Sequence, residues 1–263
     1  MVIGIYDSGL GGLSVWRELR EKVNVPLVYF GDTANVPYGE KTPDQLRDYF
    51  MASLAFLESR GCERIVVACN TTSAVVLPQV KGELRFPVIG MIESAVEAVA
   101  QATKGRVGVL ATRATTESGV YQRALSEALP SGKVFVQSAP HLVPLVEQGE
   151  IHGDSVLRTV QEYMAPLLAE EIDTLLLGCT HYSFLSDVIK EVAGKQILVI
   201  DPAPTVSKQA CKWLVGQRDS ISTSTQTEFW VSAHPEKFKD KAELVLGEKL
   251  SVVDLHPMWG ERI

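Results

Sequence analysis

The chain alternates between short apolar runs and longer amphipathic stretches. The apolar runs predict strands at residues 2–6, 27–30, 64–68, 88–90, 107–110, 134–137, 174–177, 197–200, 228–231 and 251–255. The stretches between them predict helices. The clearest has Thr42 as N-cap, Pro43 at the first helical position and Asp44 on the positive end of the dipole, with Leu46, Tyr49, Phe50, Leu54 and Leu57 as its apolar face and Gly61 as its end. Another starts at Asp154 and keeps Val156, Leu157, Val160, Tyr163 and Met164 near one face, and its Pro166 is expected to kink or end it. Strands alternating with helices call for parallel sheets with helices on their faces, an α/β fold.

The two halves carry the same pattern. Ile3-Gly4-Ile5-Tyr6-Asp7-Ser8 and Val107-Gly108-Val109-Leu110-Ala111-Thr112 are both apolar strands containing Gly, ending in small polar residues and leading toward a helix. Later in each half a strand closes on a thiol, Cys69-Asn70-Thr71 and Cys179-Thr180-His181, which are 179 − 69 = 110 residues apart. The expectation is two similar α/β domains with parallel-rich sheets flanked by helices, facing each other across a cleft that holds the active site. Residues 1–97 form the first domain, residues 98–207 the second, and residues 208–263, with a helix near 206–215, return to complete the first.

Composition narrows the function. With 263 residues, 46% hydrophobic and 22% charged, the chain is long enough for real cores. The net charge of −7 and the lack of a basic run exclude the footprint of a nucleic-acid or anionic-membrane binder. The opening residues lack a basic stretch and a cleavage site, and no apolar segment approaches the ~18 residues of a span. A cytoplasmic chain is expected, with Cys62, Cys69, Cys179 and Cys211 as reduced thiols.

A lone cysteine is usually a small core hydrophobe, and Cys62 and Cys211 take that reading. Cys69 and Cys179 differ, because Asn70, Thr71, Thr180 and His181 supply the donors and the cation that a thiolate needs. The turn Asp7-Ser8-Gly9-Leu10-Gly11-Gly12 precedes a helix starting near Leu13 and admits two readings. It nearly matches the dinucleotide fingerprint, with Asp32 lying 32 − 11 = 21 residues after Gly11, which would make the chain a nucleotide-dependent oxidoreductase. Against this, Ser14 replaces the third small residue and Asp7 would face a pyrophosphate. Asp7 beside a substrate ammonium, with Ser8 donating, fits better. The loop after the second strand holds Asp32 and, at Tyr38 and Gly39, backbone amides able to grip a carboxylate; otherwise it is a connection with an exposed Tyr. Glu147 would ordinarily be a solvated charge near a helix end. His141, His152, His234 and His256 show no partner pattern, and no Cys or His pair falls at metal-ligand spacing.

Taken together, Asp7 to Leu13, Gly31-Asp32-Thr33 with Pro37-Tyr38-Gly39, Ala68-Cys69-Asn70-Thr71, Val143 to Glu147, and Gly178-Cys179-Thr180-His181 resemble the glutamate racemases of the aspartate/glutamate racemase superfamily. The resemblance implies cofactor-independent interconversion of L- and D-glutamate, which supplies D-glutamate for peptidoglycan, by a homodimer without metal, nucleic-acid or membrane partners. It implies Cys69 and Cys179 as the acid–base pair, Cys69 taking the proton of D-glutamate and Cys179 that of L-glutamate. Asp7, His181, Glu147 and Asp32 complete the catalytic set, and Asp7, Ser8, Tyr38, Gly39, Asn70, Thr71, Thr180 and His181 bind substrate. Asn35 and Ser183 depart from the family pattern, where Arg and Pro are common. The chemistry agrees independently. Inversion at an α-carbon is easiest when a base takes a proton from one face while an acid delivers one to the other, and two thiols of pKa about 8.5 can exchange those roles. Racemisation of another amino acid such as aspartate, or ligand binding between hinged domains without catalysis, are the other readings.

Overall fold

The computed structural model describes residues 1–214 and 226–258. All ten expected strands are present, their ends displaced by at most two residues: β1 (Ile3–Asp7), β2 (Leu27–Gly31), β3 (Arg64–Val67), β4 (Val88–Ile89), β5 (Arg106–Ala111), β6 (Lys133–Ser138), β7 (Thr174–Gly178), β8 (Leu198–Ile200), β9 (Thr227–Val231) and β10 (Val253–Leu255). They form a six-stranded sheet of order β10-β9-β2-β1-β3-β4 and a four-stranded sheet of order β6-β5-β7-β8. Every pairing is parallel. The order β2-β1-β3-β4 is therefore repeated as β6-β5-β7-β8, and β1 and β5, β3 and β7 occupy equivalent places.

Both faces of the inner strands are covered, which explains the mainly apolar runs of β1, β2, β3, β5 and β7, whereas the edge strands β6 and β10 carry polar residues and are partly exposed. In the first sheet Ile3, Ile5 and Tyr29 face a core shared with Leu13, Leu19 and Phe229, while Tyr6, Val28, Phe30 and Val67 face one shared with Leu46, Phe50 and Leu57. In the second, Leu110, Leu175 and Leu177 pack with Val156, Val160 and Met164, and Val107, Val109 and Leu176 with Ala95, Tyr121 and Leu125. The repeat reaches single side chains. A β-carbon at Gly4 would meet Ile65 and Cys62, and one at Gly108 would meet Ile172, so Cys62 and Ile172 fill equivalent notches before β3 and β7.

The first predicted helix spans Pro43–Ser59, where Thr42 Oγ1 accepts from the Gln45 amide while Gln45 Oε1 accepts from that of Thr42. It stops short of Gly61, which takes the left-handed φ of +77°. Two other expected helices differ in extent. The helix Asp154–Ala169 does not end at Pro166; both Pro166 and Glu162, whose carbonyl loses its partner there, are exposed, so water can satisfy that oxygen. The helix near residue 206 is Ala203–Cys211 followed by a 3₁₀ turn to Leu214, and the expected Val215 lies outside the described residues.

Candidate active site

Open α/β sheets bind ligands beyond the carboxyl ends of their strands, where the strand order reverses. Here both sheets reverse between equivalent strands, and the candidate residues sit at those points. Asp7 ends β1 and Ser8 follows it; Cys69 lies just beyond β3, Thr112 just beyond β5 and Cys179 just beyond β7. A narrow cavity of about 10 Å³, room for little more than one water, is lined by Ser8, Tyr38, Gly39, Cys69, Asn70, Thr71, Cys179, Thr180 and His181, joined by Thr112 and Val143. Asp7, Asp32 and Glu147 stand behind this lining. A more open cavity of about 210 Å³ adjoins it but, among these candidates, touches only Glu147. The chemistry is concentrated in the smaller one.

Both thiols are buried, Cys69 at 4% and Cys179 at 5% exposure. Cys69 caps the helix Asn70–Val75, and its Sγ lies 4.0 Å from Ser8 Oγ. Burial, with the negative charge of Asp7 nearby, pushes the Cys69 thiol up to about 12, despite hydrogen bonding to Thr72. Cys179 has a different neighbour. His181 Nδ1 is 3.8 Å from its Sγ, and His181 Nε2 is 2.6 Å from Glu147 Oε1, which also accepts from the Leu10 amide at 2.8 Å. Burial alone would lower the His181 imidazole, but Cys179 and Glu147 more than offset it and hold it well above the ordinary range. A protonated His181 donates from both nitrogens, one toward the sulfur and one to the carboxylate. Glu147 is thus no solvated surface charge.

Asp7 is fully buried and links the halves, accepting from the Gly9 amide at 3.0 Å and from Thr180 Oγ1 at 3.1 Å. Burial raises its carboxyl, although His181 opposes the shift. The glycine turn exists for close approach. A β-carbon at Gly9 would collide with Glu147, and one at Gly11 with Thr180 and His181. This corrects the dinucleotide reading, since the turn faces side chains of the other half where a pyrophosphate would need to lie. Asp32 has no free oxygen for a ribose either. Its carboxylate accepts from Tyr38 Oη at 2.6 Å, Ser232 Oγ at 2.6 Å and Asn35 Nδ2 at 2.9 and 3.1 Å. Tyr38 is 2% exposed, with its phenol also accepting from Tyr6, so the expectation of an exposed Tyr fails.

The Asp/Glu/hydantoin racemase family profile matches residues 17–210, well over half of the chain. The chain belongs to that family. It is 41% identical to a glutamate racemase from Desulforudis audaxviator over 263 aligned residues, covering 94% of each chain. It is 39% identical to one from Gloeobacter violaceus, covering 92% of this chain and 91% of that one. Among solved structures, glutamate racemase from Bacillus anthracis superposes with a TM-score of 0.90 at 32% identity, covering 97% of this chain and 98% of that one. The Francisella tularensis glutamate racemase, solved with D-glutamate, gives 0.88 at 29% identity, covering 97% of each chain.

Within this family member, the sequence reading missed Thr112, Thr115 and Tyr121. Thr71 and Thr112 share a hydroxyl contact of 2.9 Å, Thr112 donates to Thr115 Oγ1 at 2.9 Å, and Tyr121 donates to Asn70 Oδ1. The repeat itself held the signal for one of them, because Thr112 stands after β5 where Ser8 stands after β1. His141, expected without a partner, meets Tyr163 Oη at 2.8 Å away from the cavity. Among the described residues no group of three or more His, Cys, Asp or Glu side chains is arranged to hold a metal, and no helix is long and apolar enough to cross a membrane.

Proposed function

We propose that the chain interconverts L- and D-glutamate by direct proton transfer at the α-carbon, with no cofactor, supplying D-glutamate for peptidoglycan. The observation that carries this is the pair of thiols on equivalent strand ends, one from each sheet, lining a single cavity. In one direction the Cys179 thiolate takes the α-proton of L-glutamate, the electron pair is left on carbon and spreads into the carboxylate, and the Cys69 thiol donates its proton to the opposite face. The reverse direction exchanges the roles. His181, held by Glu147, supports Cys179, and Asp7 receives the substrate ammonium. Asn70, Thr71, Thr180, Ser8 and the Tyr38–Gly39 backbone bind the carboxylates, and Asp32 holds that loop through Tyr38.

The Cys69 thiol at about 12 sets a requirement on this mechanism. When Cys69 acts as the base, its thiolate needs attraction from its surroundings that burial alone does not give. A substrate ammonium held by Asp7 supplies part of that attraction, by offsetting the Asp7 charge that adds to the effect of burial. Residues 1–97 and the described residues from Ala203 onward form one domain and residues 98–202 the other; the second junction moves from the expected 207/208 because Ala203, Val206 and Ala210 pack into the first sheet's core. The enzyme is placed in the cytoplasm, which its four free thiols favour, as a homodimer to be checked by sedimentation. The test of function is the circular dichroism of L-glutamate after the protein has been dialysed against chelator and treated with hydroxylamine. Decay to zero ellipticity is expected; an unchanged signal, or faster turnover of L-aspartate, refutes the assignment.

A further inference from the structure

Asn70 lines the cavity immediately after Cys69 and is 2% exposed, yet its two amide atoms have different fates. Oδ1 accepts from the hydroxyl of Tyr121, whereas Nδ2 is buried with no hydrogen-bond partner. Buried donors are ordinarily paired, so an orphan donor on the wall of a ligand cavity marks a ligand contact. Tyr121 belongs to the helix Val120–Ala128 of the other half and is itself 1% exposed. Its ring also reaches the second thiol's strand, since a β-carbon on Gly178, the residue before Cys179, would sit 3.2 Å from Tyr121 Cε2. One side chain therefore touches both thiol-bearing segments. We propose that Tyr121 is a positioning residue that locks the Asn70 amide so that its nitrogen, not its oxygen, meets a carboxylate of the substrate.

The direction of the hydrogen bond decides the orientation. The Tyr121 proton needs an acceptor, and the Asn70 oxygen is the acceptor it has. Turning the amide would leave that proton unpaired and aim a carbonyl oxygen at an anion. Burial also raises the Tyr121 phenol far above its ordinary value, so it stays a donor throughout the working pH range. Without the hydroxyl the amide has two orientations, only one of which binds.

This inference rests on the reading of Asn70 as a glutamate ligand, and a double-mutant cycle separates the two. Tyr121→Phe keeps the ring and is expected to raise KM for both enantiomers roughly 5- to 10-fold, with kcat within about 2-fold of the parent. Asn70→Ala is expected to raise KM further, and the Tyr121→Phe/Asn70→Ala double variant to match Asn70→Ala within about 2-fold, because Tyr121 acts only through Asn70. Asn70→Asp keeps the acceptor but loses the N–H, and is expected to bind glutamate at least as poorly as Asn70→Ala; this arm holds even if Tyr121→Phe fails to fold. Multiplicative losses in the double variant, or a lowered melting temperature with unchanged KM in Tyr121→Phe, overturn the positioning role while leaving Asn70 a ligand. An unchanged KM in Asn70→Ala overturns both.

Discussion

Replacing Glu147 with Gln isolates the charge beneath His181. The same oxygen, Oε1, accepts both from His181 Nε2 at 2.6 Å and from the Leu10 amide at 2.8 Å, and a glutamine oxygen can keep both bonds. Geometry is preserved and the carboxylate charge is lost. A hydrogen bond to a charged group contributes roughly 1.5–3 kcal/mol, so the imidazolium should lose about a factor of 10 to 100 in stability relative to the neutral ring. The His181 imidazole, held high by Cys179 and Glu147 against burial, should therefore titrate at lower pH in the variant. The expected kcat/KM falls by roughly 10- to 100-fold near pH 8.5 and by much less near pH 6, where the imidazolium survives. Because mirror-image glutamates have an equilibrium constant of one, this fall must be equal in both directions. The stability sign follows from the same shift. A histidine raised on folding adds stability that is fully present below its unfolded pKa of about 6.5 and is lost as pH rises through the folded value. Glu147→Gln should therefore destabilise most at pH 6 or below and least at high pH, as read by urea denaturation. A variant whose kcat/KM profile runs parallel to that of the parent from pH 6 to 9 would refute the assignment of a working imidazolium.

The remaining substitutions probe the thiols and the glycine turn. Cys69→Ala and Cys179→Ala should each lower racemisation by at least the ~10²–10⁴-fold that a positioned acid or base supplies, whereas Cys62→Ala should leave kcat unchanged and cost about 1–2 kcal/mol in denaturation. With a glutamate analogue bearing a leaving group, Cys69→Ser and Cys179→Ser should eliminate opposite enantiomers, because that reaction needs one base and no acid; the same preferred enantiomer in both would refute the face assignment. Gly11→Ala would push a methyl group into Thr180 and His181, and a displacement of that size should lower kcat/KM by ~10²-fold with a lower melting temperature. An active, stable Gly11→Ala protein would contradict the close approach described above.

The strands were legible because parallel strands buried on both faces show as unbroken apolar runs, and the helix at Pro43 because its capping box is local. The repeat exposed Cys69 and Cys179 as a pair. What the sequence hid was contact between distant segments. Glu147 looked like a surface charge because the side chain it serves, His181, lies 34 residues away. Ser232 contributes to the Asp32 network from 200 residues away, and Tyr121 reaches Asn70 across 51. The dinucleotide pattern misled for the same reason. Glycines that let a pyrophosphate approach are indistinguishable in sequence from glycines that let Glu147, Thr180 and His181 approach.

The central claim is that two bases act on opposite faces of one carbon. L-Glutamate should be incubated with the enzyme in D₂O and the α-protons of both enantiomers followed by NMR, with separation on a chiral phase, during the first few per cent of conversion. The expected result is D-glutamate fully deuterated at the α-carbon, because its new hydrogen comes from a solvent-exchanged Cys69, while unreacted L-glutamate keeps its proton. D-Glutamate that retains the original proton would contradict the account, since one group would then have carried it from face to face.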